Sequence, residues 1–224
     1  MEIVIAVIVA IILVGGLFVS FHIHSLLEKS REFETQAIIN TVEHYRKAAE
    51  QGNAEAQFEL GQCYENGLGV EQDWATAVEW YRKAAKQGNA EAQFNLALCY
   101  GNGDGVEQDW GTAVEWCRKA AEQGHAEAQH NLAICYFRGV GVPQDYTKAA
   151  EWWRKAAEQG HAKAQFNLSC SYENGAGVPQ DDALAVEWYH KAAEQGEARA
   201  QNNLGNCYFG SAELNASSNQ HFCL

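Results

Sequence analysis

The stretch KAAEQGNAEAQFELGQCYENGLGVEQDWATAVEWYR, beginning at Lys47, returns nearly unchanged from Lys83, Lys119, Lys155 and Lys191, each time 36 residues on. A unit this short cannot bury its own apolar face, so neighbouring units must stack and share one continuous core. The period therefore selects a solenoid, an architecture that presents an extended surface for binding. A chain of 224 residues with 47% apolar side chains is large enough for one such array. Its 29 acidic and 16 basic residues give a formal charge of −13 with no basic cluster, a balance that repels phosphate backbones and argues against nucleic acid as a partner.

Within the unit that starts at Gly52, Ala56, Leu60 and Tyr64 recur at helical spacing, and a second helical pattern runs through Trp74, Ala77, Val78, Tyr81, Ala84 and Ala85. Each repeat reads as a pair of antiparallel helices. Asp73, Asp109, Asp145 and Asp181 stand where they cap the second helix, and Gly52, Gly88, Gly124, Gly160 and Gly196 end it. The glycine pairs of Gly67-Leu68-Gly69-Val70 and its copies have no strand before them, so they read as tight interhelix turns and not as a phosphate cradle. Pro143 and Pro179 share one register at a helix entrance. Trp80, Trp116, Trp152 and Trp188 form a ladder whose identical placement in every repeat assigns it to packing.

Cys63, Cys99, Cys135 and Cys207 occupy one register, with Ser171 in place of the missing member. Equivalent positions in stacked repeats lie about 10 Å apart, beyond the roughly 7 Å that a disulfide tolerates between Cα atoms. With Cys117, Cys170 and Cys223 outside the register and an odd total of 7, the pattern fits buried thiols in a reducing compartment.

The N-terminus is of different composition. Ile3 to Val19 contains no polar or charged side chain, and extending it through Ile23 gives a helix of about 31 Å, matching a hydrocarbon core of about 30 Å. Residues 1–24 are therefore expected to form a transmembrane anchor, followed by a juxtamembrane segment over 25–36. A cleaved signal peptide fits less well, because Glu2 stands where a cation is usual, the apolar run is long, and no A-x-A-like site follows. Lys29 and Arg31 after the span place the solenoid in the cytoplasm by the positive-inside rule, secretion being the alternative. His22 and His24 have no further ligand at suitable spacing, so no metal and no cofactor is expected.

The residues A-x-A-Q-x-x-L, C-Y-x-x-G-x-G-V, Q-D and A-x-x-W-x-x-K-A-A-x-Q-G together resemble the Sel-one-like repeat (SLR), a longer relative of the tetratricopeptide repeat. The resemblance covers 37 to about 210, as a partial unit, four full units at 52–87, 88–123, 124–159 and 160–195, and a second partial unit. It implies an all-α, right-handed superhelix that scaffolds protein complexes, with protein or peptide ligands and no catalysis of its own. A cysteine-rich secreted branch of the family has been linked to β-lactam binding, which supplies the alternative function. This chain departs from that branch in carrying one registered cysteine per repeat and no S-x-x-K motif. The hydrolase patterns H-E-x-x-H and G-x-S-x-G are missing as well.

Positions that vary between repeats single out a candidate binding strip. Glu55, Glu59, Gln62 and Asn66 project from one face of the first helix. The matching sets are Glu91, Asn95, Leu98, Asn102; Glu127, Asn131, Ile134, Arg138; Lys163, Asn167, Cys170, Asn174; and Arg199, Asn203, Asn206. In tetratricopeptide-like stacks this face floors the concave groove, where the amides of Asn95, Asn131, Asn167 and Asn203 suit an extended peptide backbone. The change from Glu55, Glu91 and Glu127 to Lys163 and Arg199 suggests a device that sets the direction of a bound segment. Past Phe209 the pattern is abandoned and residues 211–224 read as a disordered tail, while the unpaired last helix invites self-association.

Overall fold

The computed structural model describes residue 29 and residues 31–205. Helix α1 spans 31–50 and is followed by four helical hairpins. These pair α2 (Ala54–Asn66) with α3 (Trp74–Lys86), α4 (Ala90–Asn102) with α5 (Trp110–Glu122), α6 (Ala126–Arg138) with α7 (Tyr146–Glu158), and α8 (Ala162–Asn174) with α9 (Asp182–Glu194). Helix α10 covers 198–205. Among the described residues there is no strand, and each helix packs against the next, as an α-solenoid requires. None of these helices is long and apolar enough to cross a membrane. The apolar segment 1–24, the tail 211–224, and Asn206, Cys207, Cys223, His22 and His24 lie outside the described residues.

The helix boundaries follow from capping chemistry. Asp73 accepts hydrogen bonds from the backbone of Ala75 and Thr76 and from the Thr76 hydroxyl, and Asp109 repeats the pattern with Gly111 and Thr112. First helices are capped by Asn53, Asn89, His125 and His161, each accepting from the N–H three residues on. They stop at Gly67, Gly103, Gly139 and Gly175, all left-handed. The second glycine of each loop has a separate reason. A Cβ at Gly105, Gly141 or Gly177 would lie within about 2.4 Å of backbone atoms of Trp74, Trp110 or Tyr146, the start of the preceding unit's second helix. These glycines let one repeat seat on the next.

Leu60, Leu96, Leu132 and Leu168 are fully buried, each contributing about 1.5 to 3 kcal/mol of transfer free energy. A buried glutamine relay runs beside them. Gln57 Nε2 donates to Ala49 O at 3.0 Å and its Oε1 accepts from Gln87 at 2.7 Å. The same bonds recur through Gln93 and Gln123, Gln129 and Gln159, and Gln165 and Gln195. Each amide thus ties three helices together through one donated and one accepted hydrogen bond. The Trp ladder is half-buried, with one face against the core and the other covered by Lys83, Lys119, Lys155 and Lys191 at 3.6 to 4.0 Å from the ring centroids. Cys63, Cys99, Cys117, Cys135 and Cys170 are free thiols, and burial pushes Cys99 and Cys117 up to about 12, so neither is a ready nucleophile.

Candidate functional site

Every described residue of the first-helix strip is exposed or half-buried, so α2, α4, α6, α8 and α10 present these side chains on the molecular surface. Their local partners sort them into different roles. Asn66, Asn102 and Asn174 bond within their own helix ends, to Gln62 O, Asp104 and Cys170 O. Glu55, Glu91 and Glu127 reach across the seam to the next repeat's cap, accepting from Asn89 at 3.0 Å, His125 at 3.1 Å and His161 at 2.7 Å. In both histidines Nδ1 accepts from the helix backbone, leaving Nε2–H to donate to the carboxylate. When the strip residue becomes Lys163 the facing cap becomes Glu197, whose carboxyl is held below its usual range by Arg199 and also by Lys163. The sign change read from the sequence is therefore matched at the seam, a structural role that one strip of residues viewed alone does not show.

The asparagine ladder also divides. Tyr81 donates to Glu65 and accepts from Asn95. Tyr189 donates to Glu173 at 2.7 Å and accepts from Asn203 at 2.8 Å. Glu65 and Tyr81 recur 36 residues on as Gly101 and Cys117, then as Phe137 and Trp153, and return as Glu173 and Tyr189. Asn131 and Asn167 consequently lose the tyrosine partner, and neither side chain is hydrogen-bonded among the described residues.

Cavities open at these two positions. One of about 200 Å³ is walled by Phe94, Ala97, Leu98, Gly101, Asn102, Trp110, Ala113, Cys117, Asn131, Ile134 and Cys135. Leu98 and Trp110 at its rim are 41% and 43% exposed, a large apolar area for side chains in contact with water. The second, of about 550 Å³, lies between α6 and α8 and is lined by Ile134, Arg138, Lys163, Asn167, Cys170, Asn174 and Arg199 from the strip, with His130, Phe137, Trp153, Ser171 and Ala176. Phe137 and Trp153 meet as a tilted pair, ring centroids 5.4 Å apart, where the terminal repeats have Glu and Tyr. A third cavity of about 430 Å³ between α1 and α2 takes in Glu59, Gln62 and Asn66. The strip is thus a row of hollows with unpaired amides in the middle. No group of His, Cys, Asp and Glu suited to a metal ion occurs among the described residues.

Tandem helical hairpins with a shared core and a hollowed first-helix face define an α-solenoid interaction module. The Sel1 repeat model matches residues 40–53, 54–89, 90–125, 126–161, 162–197 and 198–219, and the chain belongs to that family. It is 44% identical to a protective antigen of uropathogenic Escherichia coli displaying an SLR fold, with a TM-score of 0.73 over 75% of this chain and 36% of that one. This chain thus spans about a third of that antigen's length. A Sel1 repeat protein from Oxalobacter formigenes is 38% identical, with a TM-score of 0.74 over 80% of this chain and 71% of that one. No curated protein matches. Sel1 repeat proteins mediate protein interactions, and they are generally scaffolds and not enzymes.

Proposed function

We propose that this protein is a membrane-anchored adaptor that holds an extended segment of a partner protein along its first-helix face. The observation that carries the reading is the pair of adjoining cavities at Asn131 and Asn167, the two ladder positions whose amides have no internal partner. An extended backbone supplies alternating donors and acceptors to such amides, and its side chains fill the hollows between them. The apolar segment 1–24 would tether the array with the solenoid in the cytoplasm, and α10, with no following helix among the described residues, is a further face for self-association.

A photo-crosslinking amino acid placed at Leu98 in native membranes tests the groove, with Glu79 on the outer face of α3 as the control. A discrete adduct from Leu98 and none from Glu79 is expected; equal labelling removes the groove from the reading. A cytoplasm-only fluorescent reporter fused to the C-terminus tests the tether, and a dark fusion reverses its orientation.

A further inference from the structure

The cavity between α6 and α8 differs in chemistry from the rest of this acidic chain. Arg138, Lys163 and Arg199 all line it, although the protein carries a formal charge of −13. Neither Arg138 nor Lys163 forms an ion pair or hydrogen bond among the described residues. Arg199 is held over the Phe166 ring at 4.4 Å and gives Nε to Glu197 at 2.7 Å, so its terminal nitrogens remain for another acceptor. The carboxylates facing these cations are Glu197 at the seam and Glu127, which is occupied by His161. Neither lines the cavity.

Two buried nitrogens point to the missing occupant. Trp153 Nε1 and His130 Nδ1 are buried without a hydrogen-bond partner, in residues only 4% and 5% exposed, and both residues line this cavity. Leaving such a group unsatisfied is unfavourable, a cost that a bound acceptor relieves. His130 stands in a register that holds Phe58, Phe94 and Phe166 elsewhere, so the imidazole is particular to this repeat. Burial, with help from His161, pushes it down to about 4, leaving a neutral ring able to carry one proton on Nδ1.

We infer that this cavity takes a carboxylate of an extended acidic peptide, received by Arg138, Lys163 and Arg199 with the Trp153 and His130 N–H groups beneath. The inference rests on the reading of the first-helix face as a peptide groove and assigns one part of its ligand. Ile134 walls both this cavity and the apolar one beside it. Equivalent helices of adjacent repeats lie about 10 Å apart and extended chain advances about 3.3 Å per residue. The ligand thus carries an apolar side chain about three residues from its carboxylate.

The full chain in detergent micelles, panned against a random dodecapeptide library, tests this. Enriched sequences are expected to carry Asp or Glu about three positions from Leu, Ile or Phe. In the best binder, Glu→Gln is expected to weaken affinity at least about tenfold, whereas the same change is nearly neutral against the Arg138→Glu, Lys163→Gln variant. If C-terminal amidation and not Glu→Gln produces the loss, the carboxylate is a chain terminus and the inference stands with that source. Binders that crosslink at Leu98 without acid preference, or with a preference the variant leaves intact, overturn the carboxylate while the groove survives. Enrichment of no peptide overturns both. Trp153→Phe keeps the ring and removes its donor; weaker binding with an unchanged circular-dichroism spectrum is expected, and unchanged affinity counts against the buried donors.

Discussion

The first and fourth repeats close the floor of the binding face, and the second and third open it. At the ends, Glu65, Tyr81 and Asn95, and again Glu173, Tyr189 and Asn203, form a hydrogen-bonded triad in which both phenol rings are fully buried. In the middle the same three positions are Gly101, Cys117 and Asn131, then Phe137, Trp153 and Asn167, and the space goes to cavities. One backbone thus supports a packed floor or a hollow one, according to two side chains per repeat. Stability is concentrated in the two triads, and the ladder amides left free for a ligand lie between them.

The sharpest way to break this contrast is to truncate both floors. Tyr81→Ala removes a fully buried ring and leaves Glu65 and Asn95 unpartnered, at an expected cost of about 3 to 5 kcal/mol. Cys117→Ala is expected to cost about 1 kcal/mol. Urea unfolding with hydrogen exchange reads both, and equal losses would erase the distinction.

Acid should separate the third repeat from the others. His130 is held near 4 by burial and His161, against an ordinary value near 6.5. Between those values the unfolded chain binds a proton that the folded chain refuses, so the His130 contribution to stability falls as pH drops from 6.5 to 4 and levels off below. The expected loss is about 3 kcal/mol. His130→Phe, which restores the residue of the other repeats, should remove that part of the decline, as unfolding midpoints across this range will show.

Converting the second repeat into an end-type repeat sharpens the comparison further. The Tyr81 ring lies against Gly61, where even a Cβ would meet it at 2.6 Å, so the exchange Gly101→Glu, Cys117→Tyr is paired with Ala97→Gly to reproduce the seat of the first repeat. The triple variant should fold, close the apolar cavity and lower crosslinking from Leu98 at least about tenfold, equivalent to about 1.4 kcal/mol. The smallest effect separates the asparagines. Asn203→Ala should cost about 1 kcal/mol by removing a donor to Tyr189, whereas Asn131→Ala should stay within about 0.5 kcal/mol.

Much of this fold was legible from the period alone. Aspartate caps, glycine stops and the Leu60 ladder each answer to a local rule acting identically in every unit, so the repeats vouch for one another. The strip was legible as a surface but not in its division of labour. Reading down the first helix shows Asn95, Asn131, Asn167 and Asn203 as equals, because their difference resides on the second helix at Tyr81, Cys117, Trp153 and Tyr189. The signal was present as a variable column among fixed neighbours, and Cys117 already stood out as irregular. The seam partners Asn89, His125, His161 and Glu197 were likewise hidden, because they lie 34 residues from the charges they meet and only stacking brings them together.

The glutamine relay also governs how such a chain can change length. Each unit offers a carbonyl to the next and receives an amide hydrogen from its own far end, so removing or duplicating 36 residues rejoins equivalent partners and strands no buried polar group. Growth and loss by whole cassettes are chemically silent in the core. The seam where Lys163 meets Glu197 is the exception: a unit moved across it arrives with the wrong sign.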